Sequence, residues 1–132
     1  MQKEKTQFNS IENKQDIDNF ISRTNGLHDG YVLSVQYEHS GYTGGNPHLI
    51  DPRLTELRIR IMVTSICDAV VELIFRNLNE WQIKDNQFDI TDTSVSFTDD
   101  GYIIWADKYS TESEVRKRGS YAIAKSMKWR FL

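Results

Sequence analysis

The 132-residue sequence predicts an α+β, mainly β fold: an antiparallel, six- to seven-stranded curled sheet or sandwich with one N-terminal helix. Three observations predict it. Apolar and polar residues alternate with period two in stretches from Tyr31 to Phe131. Ile17, Phe20 and Ile21 form one short stretch of helical spacing, and Gly, Pro, Asn and Asp gather between the alternating runs.

The helix is expected from about residue 14 to 24. Asn13 suits the N-cap, Asp16 sits in the first turn where the helix dipole favours an anion, and Asn25-Gly26 supplies a left-handed stop. Ahead of it, residues 1–12 carry only Phe8 and Ile11 as large apolar groups and are expected to form a loosely ordered lead-in to a single domain spanning 1–132.

In the first strand Tyr31, Leu33, Val35 and Tyr37 fall on one face, with Ser34, Gln36 and Glu38 on the other. Residues 39–53 hold Gly41, Gly44, Gly45, Pro47 and Pro52 and show neither periodicity, which predicts a long loop. The second strand points Leu57, Ile59, Ile61 and Val63 inward and Glu56, Arg58 and Arg60 outward; the third points Ala69, Val71, Leu73 and Phe75 inward and Glu72 and Arg76 outward. A hairpin through residues 64–68 then lets Arg58 and Arg60 face Glu72 across strands.

Trp81 and Ile83 predict a short fourth strand, and residues 87–98 a fifth with Val95 and Phe97 on one side. Asp99-Asp100-Gly101 predicts a tight turn, because Gly101 can take positive φ, into a strand over residues 102–106. A charged loop over residues 108–119 leads to a long last strand. There Tyr121, Ile123, Met127, Trp129 and Phe131 alternate, with Lys128 and Arg130 opposite.

Residues 1–107 carry seventeen carboxylates against nine cations, whereas residues 108–132 carry seven cations against two carboxylates. Pairing of the two segments as neighbouring strands would make this polarity internal; otherwise it marks a basic face for a partner. The net charge of -3 gives no reason to expect a nucleic-acid partner. The first residues lack the apolar stretch of a secretory signal and no apolar run approaches membrane-spanning length, so no membrane association and a cytoplasmic location are expected. Cys67 is the single cysteine, with no internal disulfide to form, and is expected as a small filler beside strands.

Leu27-His28-Asp29-Gly30-Tyr31 is the most distinctive string. A carboxylate beside a histidine can fix its tautomer for base or ligand chemistry; alternatively Asp29 and Gly30 shape the turn while His28 bonds neighbouring backbone. His28, His39, His48 and Asp51 have no compact metal-ligand spacing, and no phosphate-binding loop, dinucleotide fingerprint or nucleophile elbow occurs, so neither cofactor nor metal is expected. Asp85, Asp89, Asp92, Asp99, Asp100 and Asp107 read as turn and outer-face charges, or as an acidic surface for a basic partner. Trp81, Trp105 and Trp129 read as core packing.

The run from Leu27 to Val35, together with Val71-Glu72-Leu73-Ile74-Phe75-Arg76-Asn77-Leu78, resembles small bacterial domains in which His-Asp opens the first strand, some of them immunity proteins of polymorphic toxin systems. The resemblance implies a non-enzymatic, β-rich protein and transfers no catalytic residue.

Three functional expectations follow. The first is a protein-binding module, immunity-like, with a toxin among its candidate partners. The second is a small-ligand-binding or hydrolytic domain that uses His28 and Asp29 beneath the 39–53 loop, with Tyr42 and His48 in that loop. The third is a homo-oligomer joined through an exposed edge strand at residues 121–131.

Overall fold

The computed structural model describes residues 7–39, 51–83, 89–90, 92–107 and 119–132. Most of the glycine-rich loop, with Tyr42 and His48, lies outside the described residues, as do residues 84–86, residues 87, 88 and 91 of the expected fifth strand, and residues 108–118 of the charged loop.

Helix α1 (Lys14–Thr24) begins where the Asn13 side chain accepts a hydrogen bond from the Asp16 backbone N–H at 2.9 Å. It ends where Asn25 and Gly26 turn left-handed at φ 54° and 61°. Phe20 on its inner face is fully buried, and its ring lies 5.4 Å from that of Trp129. The sequence placed both ends of this helix correctly, because capping chemistry is local.

Eight strands are described: β1 (Asn9–Ser10), β2 (Gly30–His39), β3 (Thr55–Val63), β4 (Ala69–Gln82), β5 (Asp89–Ile90), β6 (Thr93–Phe97), β7 (Ile103–Asp107) and β8 (Tyr121–Phe131). They form one antiparallel sheet in the order β5-β2-β3-β4-β8-β7-β6, with β1 also paired to β8. The strands at its two extremes are consecutive in the chain: β5 ends at Ile90 and β6 starts at Thr93. Three residue steps span at most about 11 Å. The sheet therefore curls until its edges approach each other, enclosing Leu57, Ile59, Ile61, Leu73, Phe75, Trp105 and Trp129 with Phe20 of α1.

The inward alternation of β3 and of the first part of β4 is as the sequence predicts, and these two strands form the expected hairpin. So is the turn at Gly101, where φ is +87° and the Gly101 N–H donates to the Thr98 carbonyl. No described helix is long and apolar enough to cross a membrane.

Other expectations are corrected. In β2 the register shifts between Val32 and Ser34, so the extra residue Leu33 reverses the pleat. Tyr31 lies opposite Met62 whereas Val35 and Tyr37 lie opposite Ile59 and Leu57, so Tyr31 does not share their face. Trp81 does not mark a separate strand: β4 runs unbroken to Gln82, bent by a second irregularity between Leu78 and Glu80. The expected fifth strand is split into β5 and β6, and Phe97 is exposed.

In β8 the pleat also changes phase. Met127 and Trp129 enter the main core together with Ala122 and Ala124, while Tyr121 and Ile123 join Ile104 and Ala106 in a second cluster. Trp105 and Ile104 are adjacent on one strand, so these clusters lie on opposite faces of the sheet. β8 is moreover an interior strand, held by β4 on one side and by β7 and β1 on the other, not the free edge that the self-association expectation needs. The end of the lead-in is anchored through that pairing and through Ile11, which is buried and donates to the Met127 carbonyl at 3.0 Å. Cys67 is an exposed, left-handed turn residue with φ 60°, not a filler.

Candidate functional site

Alternation that sends Ile59, Leu73 and Trp129 into the core necessarily sends their sequence neighbours out. Strand order then decides which outward residues meet. Register sets Arg60 opposite Glu72 and Glu72 opposite Arg130; one step along, Arg58, Ile74 and Lys128 form a row; beyond it lie Glu56, Arg76 and Ser126. On β3, β4 and β8 five cations thus share this face with two carboxylates, and Glu38 of β2 lies opposite Glu56 at its margin.

Glu72 is fully buried at the centre of the first row. Arg60 Nε donates to its Oε2 at 2.9 Å and Arg130 Nε to its Oε1 at 2.9 Å, while Arg58 Nη1 stands 3.7 Å from Oε2. A carboxylate taken out of water needs such partners on both oxygens. Glu56 holds the other side of the cluster, accepting from Arg76 Nε at 2.9 Å and Arg58 Nη2 at 3.2 Å. Burial pushes the Glu56 carboxyl up, but the hydrogen bonds and charges of Arg76 and Arg58 together outweigh it and hold the carboxyl below its ordinary range.

Lys128 is different. Among the described residues no carboxylate pairs with it, and its ammonium lies over the Phe8 ring at 4.3 Å, the same ring that Arg130 covers at 4.4 Å. Burial, and then the charges of Arg76, Arg130 and Arg58 against the single favourable Glu56, push the Lys128 ammonium below its usual range. The face is electrostatically unfinished at this point. What such an arrangement can do is receive an anion; it holds no nucleophile and base in register for covalent chemistry.

His28 and Asp29 stand at a different corner, in the exposed turn before β2. His28 Nε2 is 3.6 Å from Asp29 Oδ2 and its Nδ1 is 3.7 Å from Asp92 Oδ1. The backbone here is heavily used: the His28 carbonyl accepts from Ser65 Oγ at 2.9 Å, the Asp29 carbonyl from Thr64 Oγ1 at 3.1 Å, and the His28 N–H donates to the Asn25 carbonyl at 3.0 Å. Leu27 and Asp29 have φ 55° and 58°, and a Cβ on Gly30 would come within 2.6 Å of the Leu27 carbonyl. The string is thus the connection that turns the chain from α1 into β2 and fastens it to the β3–β4 turn.

His39, at the other end of β2, accepts from the Asp51 backbone N–H at 3.2 Å, closing the base of the glycine-rich loop. Nine residue steps along β2 separate this end from Gly30, roughly 30 Å at the ordinary rise per residue. The structure therefore unites His28 with Asp29 and Asp92, and His39 with Asp51, but holds the two groups apart; among the described residues no cluster suited to a metal ion occurs. Of the aspartates, Asp92, Asp99 and Asp100 are exposed but Asp107 is buried, so the latter is not part of an acidic surface.

The sequence marks Arg58, Arg60, Glu72, Arg76, Lys128 and Arg130 as outward residues; it pairs Arg58 and Arg60 with Glu72 across strands and leaves the basic segment 108–132 either as internal complementarity or as a partner face, without joining these residues into one site. The outward parity was the available signal; the adjacency of β4 and β8 was the missing piece. Comparison of the chain with protein-family models, with curated proteins and with solved structures finds no match.

Proposed function

We propose that this protein is a non-enzymatic protein-binding module that docks the acidic surface of a partner protein on the outer face of β3, β4 and β8. The observation that supports it is the surplus of positive charge there: five cations on three adjacent strands answer two carboxylates, in a chain whose formal net charge is -3. Concentrating cations against the overall charge costs self-repulsion, which an acidic partner relieves while steering the encounter. Arginine suits the task because its fork matches carboxylate geometry and sheds water readily. The resemblance of residues 27–35 and 71–78 to immunity proteins of toxin systems points the same way and makes a toxin one partner to test.

The experiment is capture from native lysate and co-expression with the product of a neighbouring gene, using the parent chain and the double variant Arg58→Gln/Arg76→Gln. Supporting the reading requires an acidic protein that the parent retains and releases as salt rises, and that the variant fails to hold. A partner held equally by both chains, or duplex DNA retained as tightly as that protein, overturns it.

A further inference from the structure

Between the second and third rows of the outer face lies a depression of about 250 Å³. Ile74, Arg76 and Lys128 line it, together with Ser10, Ser126 and the exposed Glu12. Arg76 spends its Nε on Glu56, which leaves the terminal guanidinium N–H groups, and Lys128 has an aromatic ring and no carboxylate as its described partner. Two cations and two hydroxyl-bearing side chains thus line the depression beside the apolar Ile74, with Glu12 as the one carboxylate in the lining. The volume has room for an oxyanion group.

We infer that this depression is an anchoring subsite for one oxyanion group of the partner, a carboxylate or a phosphoryl group, held by Lys128 and by the terminal N–H groups of Arg76. The inference rests on the acidic-partner reading and adds where that partner's key anion sits. Charge-assisted hydrogen bonds from a guanidinium and an ammonium are the strong kind, and the Ile74 side chain in the lining is apolar and buried. The lowered pKa of Lys128 fits the same geometry, since an arriving anion would favour the charged ammonium and offset the burial and neighbouring cations that oppose it.

The test uses the full chain and small probes: inorganic phosphate and acetate, each titrated at constant ionic strength against sodium chloride while backbone amide resonances are followed. Either probe should give saturable shifts centred on Arg76, Ser126 and Lys128, weakened at least tenfold in Lys128→Met and in Arg76→Gln. Lys128→Met keeps an apolar stem against Phe8 and Arg76 is exposed, so both variants should fold. Shifts that stay linear for both anions, or that persist unchanged in both variants, overturn the subsite. Because no protein partner enters this titration, its failure leaves the acidic-partner reading standing, and failure of the capture experiment leaves a small-anion site standing.

Discussion

Arg130 and Glu72, fifty-eight residues apart in the chain, face each other across β8 and β4, with Arg130 Nε donating to Glu72 Oε1 at 2.9 Å. This contact joins the basic C-terminal strand to the more acidic remainder, and it lies at the centre of the face that the proposed function uses. Internal pairing and partner binding are therefore not alternatives here: Glu72 is satisfied internally, while Lys128, one row away, is not.

Glu72→Gln keeps the volume of the buried side chain but removes the charge on which Arg60 and Arg130 converge. It should lower the unfolding free energy by about 2–4 kcal/mol, read from urea denaturation, because breaking one side of a buried ion pair leaves the others uncompensated. Arg60→Met should cost less, since Arg60 is 44 % exposed and Arg130 continues to hold the carboxylate.

Gly30→Ala should be more damaging than Gly101→Ala. A Cβ at Gly30 would meet the Leu27 carbonyl at 2.6 Å and Ile61 Cγ2 at 2.9 Å, so backbone and core must shift; a cost above about 2 kcal/mol is expected. At Gly101 the nearest obstacle is the flexible end of Lys125 at 3.8 Å, leaving the positive φ as the penalty, about 1–2 kcal/mol. Thermal melts of the two variants give the order.

His28→Ala should change stability by less than about 0.5 kcal/mol, because the side chain is exposed and the turn is held through its backbone. Ser65→Ala, which removes the hydroxyl that donates to the His28 carbonyl and accepts from Asn25 Nδ2, should cost about 1 kcal/mol. The reverse order would mean that the imidazole does structural work that this geometry does not show.

The pH profile carries two opposite signatures. Glu56 has a folded pKa below its ordinary 4.5, so its contribution is fully present above that value and is lost as pH falls through the folded one; Glu56→Gln should flatten this acid limb. Lys128 has a folded pKa below 10.5, so protonation opposes folding at neutral pH and stability rises as pH climbs from the folded value toward 10.5. Lys128→Met should be at least as stable as the parent at pH 7 and should lack that alkaline gain.

What the sequence determined by itself is whatever one element decides locally: the ends of α1 from Asn13 and Asn25, the inward faces of β3 and early β4 from alternation, and the turn at Gly101. Only the tertiary structure decided where the pleat breaks, at Leu33, between Leu78 and Glu80, and between Ala124 and Met127. An irregularity adds a residue that composition does not mark, and every later side chain changes face. It also decided that β8 lies beside β4. Outward charges on strands far apart in sequence become one surface only through that pairing, and no local propensity encodes which strands will be neighbours.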